Sequence, residues 1–170
     1  MTGTENDTTQ TNSTDNRTAS TSSTAGFPNE ATSRFTVASW SETAFVDIDG
    51  VGTTMGETYY PKRGLTQADV AYRYTGGMEG TGTVRYLIGY QSGEAPVLGF
   101  ERFEGSIAGQ EGSCVFRHLG VQDAGSVTAT IEVVEGLGTG GLAGLRGRAE
   151  LRIAGESKDG YELVLDYALG

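Results

Sequence analysis

Residues 135–153 are Glu135-Gly-Leu-Gly-Thr-Gly-Gly-Leu-Ala-Gly-Leu-Arg-Gly-Arg-Ala-Glu-Leu-Arg-Ile153. Gly136, Gly138 and Gly141 form a G-x-G-x-x-G pattern, and Glu156 follows about 20 residues on, as in a dinucleotide-binding fingerprint. That fingerprint requires a helix to begin at the glycines, because its N-terminal N–H groups hold the pyrophosphate. Here residues 145–153 alternate apolar and charged side chains with a period of two, which predicts a strand. We therefore interpret the glycines as a tight turn between two strands.

Similar period-two patterns recur along the chain and are separated by short, glycine-containing turns. We predict strands at Arg34–Ser41, Leu65–Tyr74, Gly80–Tyr90, Ala95–Ile107, Gly112–Leu119, Ser126–Glu135, Ala143–Ala154 and Tyr161–Ala168. Only the connector Glu42–Gly64 is long. Eight antiparallel strands joined in chain order favour an all-β, eight-stranded, up-and-down barrel, because closure removes the exposed sheet edges. A β-sandwich is the alternative architecture.

The chain divides into two parts of different composition. Residues 1–29 are almost entirely Thr, Ser, Asn, Asp, Gly and Gln, and such a segment buries too little apolar surface to offset its ordering entropy. We expect a disordered tail there, or a lid over a cavity mouth that Phe27 and Pro28 would anchor. Residues 30–170 form the predicted β-barrel domain.

Charge and cysteine content exclude several classes of partner. The formal net charge of −10 argues against a nucleic-acid partner, which requires clustered Lys and Arg. No apolar run is long enough for membrane insertion, and no N-terminal segment resembles a signal peptide. The single cysteine, Cys114, excludes an internal disulfide and is typical of a reducing, cytoplasmic location. One histidine and one cysteine are too few soft ligands for a typical zinc site, so we predict no metal and no cofactor.

Strand periodicity also predicts which side chains face the barrel interior. The charged residues Arg102, Glu104 and Arg117 are assigned to the outer face, which places Glu101 and His118 inside. The predicted inward set is aliphatic and tyrosine-rich, and includes Val70, Tyr72, Tyr74, Val84, Tyr86, Ile88, Tyr90, Val97, Gly99, Glu101, Phe103, Cys114, Phe116, His118, Leu145, Gly147, Ala149, Leu151, Ile153, Tyr161, Leu163, Leu165 and Tyr167. Trp40 has the opposite parity from Phe35 and Val37, so it caps the barrel end or lies at a subunit contact.

Four segments resemble a known family. They are Phe35-Thr-Val-Ala-Ser-Trp-Ser-Glu42, Gly99-Phe-Glu-Arg-Phe-Glu-Gly105, Gly112-Ser-Cys-Val-Phe-Arg-His-Leu-Gly120 and Gly136-Leu-Gly-Thr-Gly-Gly-Leu-Ala-Gly-Leu-Arg-Gly147. Together they resemble a bacterial family of unknown function with the allene-oxide-cyclase-like, calycin-type β-barrel, over residue 34 to the C-terminus. Cys114 stands where that family usually has a phenylalanine. The resemblance implies the fold, and at that level it extends to oxylipin cyclases and to small-barrel polyketide cyclases, including those of [4+2] cycloadditions.

The inward polar residues supply the candidate chemistry. Glu101 and His118 lie on adjacent predicted strands, so they could form a hydrogen bond; an apolar lumen disfavours the charged form of each, so each could exchange protons near neutral pH. We predict catalytic roles for Glu101, His118, Tyr72 and Tyr86. We predict substrate contacts from Tyr74, Tyr90, Phe103, Phe116, Tyr161, Tyr167 and Trp40. The alternatives are a buried polar pair that holds strand register, and tyrosines that only pack the core.

These features lead to one main hypothesis and two alternatives. The main hypothesis is a cofactor-free cyclase or isomerase that folds a small hydrophobic polyene, oxylipin or polyketide-type molecule in the lumen for ring formation, with a [4+2] cycloaddition as one such reaction. A barrel of eight strands can hold one such ligand, so a lipocalin-like carrier or sensor is the first alternative. The second is a barrel filled by its own side chains that acts by oligomerising. A homodimer is compatible with all three.

Overall fold

The computed structural model describes residues 26–170, whose regular structure consists entirely of β-strands. The strands are β1 (Asn29–Asp47), β2 (Gly52–Met55), β3 (Thr58–Pro61), β4 (Gly64–Gly76), β5 (Met78–Tyr90), β6 (Ala95–Ile107), β7 (Gln110–Asp123), β8 (Ser126–Val133), β9 (Thr139–Gly140), β10 (Arg146–Ala154) and β11 (Tyr161–Ala168). The predicted tail or lid lies outside the described residues, apart from residues 26–29. None of the residues from 26 to 170 belongs to a helix with the length and hydropathy needed to cross a membrane.

Eight of the strands form a closed antiparallel barrel. Neighbours pair in the order β1, β4, β5, β6, β7, β8, β10 and β11, and β11 pairs with β1 to complete the ring. All pairs are antiparallel, and successive barrel strands are neighbours, so the predicted up-and-down barrel is confirmed and the sandwich is wrong. Alternation along each strand places one set of side chains in a common core, as in β4, where Val70, Tyr72 and Tyr74 are buried while Asp69 and Arg73 are exposed.

The first strand contains an irregularity that the period-two pattern does not predict. Val37 pairs with Tyr72 and Ser39 pairs with Ala71, so Ala38 is an extra residue, a β-bulge. The bulge reverses the parity of the residues that follow it as far as Ala44, where a second register shift lies between Ala44 and Val46. Trp40 therefore pairs with the inward residue Val70. The parity difference noted for Trp40 therefore has a local cause, and it turns Trp40 toward the lumen.

The long connector of the prediction contains more structure than expected. β1 continues to Asp47, and a small two-stranded hairpin follows, in which Thr53 pairs with Tyr60. Arg63 bridges to Asp49 at 2.5 Å at the base of this hairpin. The description of Glu42–Gly64 as a connector is therefore wrong. The sequence did not reveal these strands, because an irregular strand and two strands of four residues give too short a periodic signal.

The glycine-rich segment closes one end of the barrel. Residues 134–145 join β8 to β10; within them, Thr139 and Gly140 pair with the start of β7, and Leu142 is completely buried. The predicted tight turn is therefore wrong, and β10 begins at Arg146, later than expected. Gly138 is needed here, since an added Cβ would lie 2.0 Å from the Leu142 carbonyl oxygen. Four fully buried side chains belong to this half of the core: Met78, Ile107, Leu142 and Leu165.

The packing of the glycine-rich segment predicts a large difference in stability between substitutions of two of its leucines. Leu142→Ala leaves a cavity in the closed end, and we expect it to lower the free energy of unfolding by about 2–5 kcal/mol. Leu137 is 53 % exposed, so Leu137→Ala is the matched control and should change stability by about 0.5 kcal/mol or less. Denaturant unfolding of both variants measures the difference; equal values would show that Leu142 does not hold the closed end.

Candidate functional site

The opposite end of the barrel is open and leads into a cavity of about 540 Å³. The turns after β5, β7 and β10 surround its mouth, and its walls are largely apolar and aromatic. Its lining includes Phe35, Trp40, Tyr72, Tyr86, Ile88, Tyr90, Val97, His118, Leu151, Ile153 and Tyr161. This volume and this lining are typical of small-molecule sites.

A chain of hydrogen bonds runs from the cavity into the core. The hydroxyls of Tyr72 and Tyr86 lie 2.8 Å apart, and the Tyr86 hydroxyl lies 3.1 Å from Nδ1 of His118. Nε2 of His118 lies 2.7 Å from Oε2 of Glu101, and the Tyr74 hydroxyl donates to Oε1 of Glu101 at 2.9 Å. The expected bond between Glu101 and His118 is thus present, and it is one link in a five-residue network.

The network can hold its protons in two arrangements that differ by one proton. With Glu101 as the acceptor, His118 donates through Nε2, Tyr86 donates to Nδ1, and Tyr72 donates to Tyr86, which leaves Tyr72 an oxygen lone pair for the cavity. With one more proton held between His118 and Glu101, Nδ1 donates to Tyr86, Tyr86 donates to Tyr72, and the Tyr72 hydroxyl donates outward. Every contact in the network is satisfied in both arrangements.

Burial controls the acidity of the tyrosines. Removal from water raises the pKa of Tyr72 well above the usual value, and the nearby Glu101 carboxylate adds to the effect. Burial likewise raises the pKa of Tyr86, with Tyr72 as the second cause, and the pKa of Tyr74, with Glu101 as the second cause. A free tyrosinate is therefore strongly disfavoured, so these hydroxyls can pass a proton only by receiving another.

Two glycines make room for this network. A Cβ on Gly82 would lie 1.7 Å from Oε1 of Glu101, and a Cβ on Gly99 would lie 2.4 Å from Cδ1 of Tyr86. Gly82 and Gly99 lie on β5 and β6, beside the groups that they accommodate. The space beside these two glycines is thus filled by the network itself.

A second buried carboxylate, which the sequence analysis did not identify, lies near the mouth. Glu42 is 7 % exposed and accepts hydrogen bonds from Thr66 (2.6 Å), Tyr90 (2.8 Å) and the indole N–H of Trp40 (3.0 Å). Burial, followed by the bond to Glu42, raises the pKa of Tyr90. Glu42 therefore fixes two aromatic residues of the cavity wall, and Trp40 also stacks on Tyr86 with ring centroids 6.4 Å apart. The period-two pattern did not assign Glu42 to the interior, because the bulge at Ala38 decides which face of the strand Glu42 occupies.

The structure brings together only part of the predicted site. Trp40, Tyr72, Tyr86, Tyr90, His118 and Tyr161 line the cavity. Glu101 lies behind His118 and is fully buried, so it would act on a ligand only through the network. Tyr74, Phe103, Phe116 and Tyr167 are not among the lining residues, because they are packed in the core. A role for those four in direct substrate contact is therefore not supported by their positions.

Other chemistry-bearing groups do not form a site. Cys114 is completely buried, and burial, with Glu101 as a smaller cause, raises the pKa of its thiol to about 12, so the thiolate is inaccessible at neutral pH. Within residues 26–170, no three His, Cys, Asp or Glu side chains converge as a metal site would require.

Comparison with known proteins gives a family and a structural relative. The family described as "Protein of unknown function (DUF3224)" matches residues 31–165. A crystal structure of a DUF3224 protein of unknown function from Shewanella oneidensis MR-1 superposes with a TM-score of 0.60 at 19 % identity, over 84 % of this chain and 98 % of that one. No curated protein matches the chain. The family of unknown function expected from the sequence is confirmed, while the likeness to allene oxide cyclases stays a prediction.

The buried tyrosines predict a specific loss of stability in alkali. Unfolded tyrosines lose their protons near pH 10, whereas Tyr72, Tyr74 and Tyr86 keep theirs in the folded state because burial raises the pKa of each. Below pH 10 these three groups do not change the free energy of unfolding with pH. Above pH 10 the free energy of unfolding should fall by about 1.4 kcal/mol per pH unit for each of them. Denaturant unfolding between pH 9 and pH 11.5 should show a slope that Tyr72→Phe reduces by one group. An unchanged slope would contradict the burial of Tyr72.

The Gly99 contact predicts a second, local effect. In Gly99→Ala the new methyl group must displace the Tyr86 ring, which should cost about 1–3 kcal/mol of stability. Tyr86 stacks on Trp40, the only tryptophan in the chain, so the emission of Trp40 should change as well. Gly89→Ala is the control. A Cβ on Gly89 would lie 3.2 Å from a side-chain atom of Pro96, so it requires a much smaller shift than the 2.4 Å contact between a Cβ on Gly99 and Tyr86. Equal effects of the two substitutions would show that Gly99 is not required for the network.

Proposed function

We propose, for a chain that belongs to the DUF3224 family of proteins of unknown function, that the open cavity binds a small, largely apolar molecule with an oxygen group and moves a proton on it. The reaction class is that of a cofactor-free isomerase or cyclase. The observation that carries the proposal is the hydrogen-bonded chain from cavity-lining Tyr72 to buried Glu101. Such a chain gives an apolar cavity one defined place where a proton can leave or arrive.

The proton path follows from the two arrangements of the network. A ligand oxygen that contacts Tyr72 gives its proton to the Tyr72 oxygen while the Tyr72 proton passes to Tyr86. The Tyr86 proton passes to Nδ1 of His118, and the Nε2 proton is then shared with Glu101. The reverse sequence returns a proton to another atom of the ligand, so atoms and charge balance without an oxidant or a reductant. The high pKa of Tyr72 and Tyr86, which burial causes, favours concerted transfer over a free tyrosinate.

The cavity walls would supply orientation. Phe35 contacts Tyr72 edge-on with centroids 5.1 Å apart, and Trp40 stacks on Tyr86, so both hydroxyl groups are held in place by aromatic packing. Glu42 fixes Trp40 from the other side. A flexible unsaturated ligand held against such a rigid wall has fewer conformations to lose before ring closure, which supports a cyclase as one form of this activity.

A carrier or sensor is the second candidate, and one observation favours it. Among the described residues, every buried side-chain nitrogen and oxygen atom already has a hydrogen-bond partner within the protein. A network that is complete without a ligand is sufficient to stabilise the barrel, so a purely structural role accounts for it. In that case the cavity would bind its ligand and release it unchanged.

Isotope exchange distinguishes the two candidates. We would incubate a panel of apolar enones and β-diketones that fit the cavity with the protein in D₂O. Loss of the γ-protons of the enones and of the α-protons of the diketones would be followed by NMR. We expect the protein to accelerate exchange of at least one compound, and Tyr72→Phe and Glu101→Gln each to reduce that rate by about 10²- to 10⁴-fold.

Matched controls lie on the surface of the same chain. Glu104→Gln alters an exposed carboxylate of the same strand as Glu101, and Tyr59→Phe removes an exposed hydroxyl bonded to Asp47; both should exchange at the original rate. Quenching or a shift of Trp40 emission reports binding separately. Binding without exchange would establish the carrier, and the absence of both for the whole panel would refute this use of the cavity.

A further inference from the structure

The outer face of the barrel carries a continuous row of exposed leucines on three adjacent strands. Leu87 of β5 pairs with Leu98 of β6, and Leu98 pairs with Leu119 of β7, so the three side chains stand side by side. They are 46 %, 40 % and 57 % exposed. Single exposed apolar residues are ordinary, but a contiguous apolar patch on a sheet face marks an interaction surface.

The next row along the same strands has an ordered charge pattern. Asp69, Arg85, Phe100, Arg117 and Glu132 are successive register partners across β4 to β8. Phe100 is 54 % exposed, and the arginines on either side bond to the acids beyond them, Arg85 to Asp69 at 2.7 Å and Arg117 to Glu132. The row therefore has the order acid, base, aromatic, base, acid.

We propose that a second copy of this chain docks on this surface, in a dimer whose twofold axis runs parallel to the strands between β5 and β6. Such an axis places each residue of one copy opposite a residue of the second copy that lies at the same level along the strands and equally far on the other side of the axis. Leu87 then faces Leu98 of the second copy, and this contact occurs twice. Leu98 and Leu87 thereby become the apolar centre of the interface.

The charged row favours a second copy as the occupant and excludes an axis through β6. Arg85 faces Phe100 of the second copy, a cation–π arrangement, and Asp69 faces Arg117 of the second copy, an ion pair. An axis through β6 itself would place Asp69 against Glu132 and Arg85 against Arg117, which are like charges. An axis between β6 and β7 is also complementary, because it places Phe100 against Arg117 and Arg85 against Glu132 of the second copy. We place the axis between β5 and β6 because the more exposed arginine then contacts Phe100: the Arg85 side chain is 65 % exposed and that of Arg117 is 49 % exposed. These contacts offset the repulsion expected between two chains of net charge −10.

Sedimentation velocity at micromolar concentrations tests the dimer directly. The full chain should sediment with twice the mass of a single chain, and Leu98→Glu should sediment as a monomer with an unchanged circular dichroism spectrum, because the side chain points outward. Leu137→Glu, which alters an equally exposed leucine at the closed end, should remain a dimer. A monomeric full chain, a trimer, or dissociation by Leu137→Glu instead of Leu98→Glu would overturn the proposal.

Charge reversal tests the axis. Asp69→Lys and Arg117→Glu each place two like-charge contacts in the dimer, so each variant alone should be monomeric. An equimolar mixture should form a heterodimer, because each interface then contains one reversed ion pair and one original pair. Failure of the mixture to associate, or dimers of either single variant as stable as those of the unaltered chain, would exclude this axis. The result is independent of the chemistry proposed for the lumen.

Discussion

The buried carboxylate of Glu101 is the constraint on which the interior depends. A carboxyl group with no exposed surface is costly unless its oxygens are hydrogen-bonded, and here His118 and Tyr74 occupy both of them. Gly82 leaves room for the Glu101 carboxylate and the Tyr74 ring, and Gly99 leaves room for Tyr86, which bonds to His118. Because each partner lies on a different strand, the same bonds that satisfy Glu101 also fix the relative register of β4, β6 and β7.

The two ends of the barrel have opposite character for related reasons. At one end, the glycine-rich segment folds back, and Leu142 fills the space between the strands. At the other, the wall is held by polar contacts, since Glu42 accepts bonds from Trp40, Thr66 and Tyr90. A polar clamp can hold aromatic side chains at a wall without filling the space between them, so the cavity stays open at this end. The polar chain from Tyr72 to Glu101 lies where the open half meets the packed half.

Much of this arrangement could be predicted from the sequence. Period-two alternation was sufficient to place eight strands, to assign Glu101 and His118 to the interior, and to rule out a nucleotide site at the glycines. It could not reveal the bulge at Ala38, because one extra residue changes the face of the residues that follow, up to the second register shift after Ala44, without changing the composition. It also could not separate Tyr72, which lines the cavity, from Tyr74, which is packed in the core, because the two share one face.

By itself, then, the sequence determined the class of fold, the inward face and the polar residues available to it, because alternation along a strand is a local property. Only the tertiary structure decided which of those residues meet. The links among Tyr72, Tyr86, His118 and Glu101 join β4, β5, β6 and β7, and a hydrogen bond depends on tenths of an ångström that no spacing along the chain encodes. The alignment of Leu87, Leu98 and Leu119 is likewise set by strand register, which barrel closure determines.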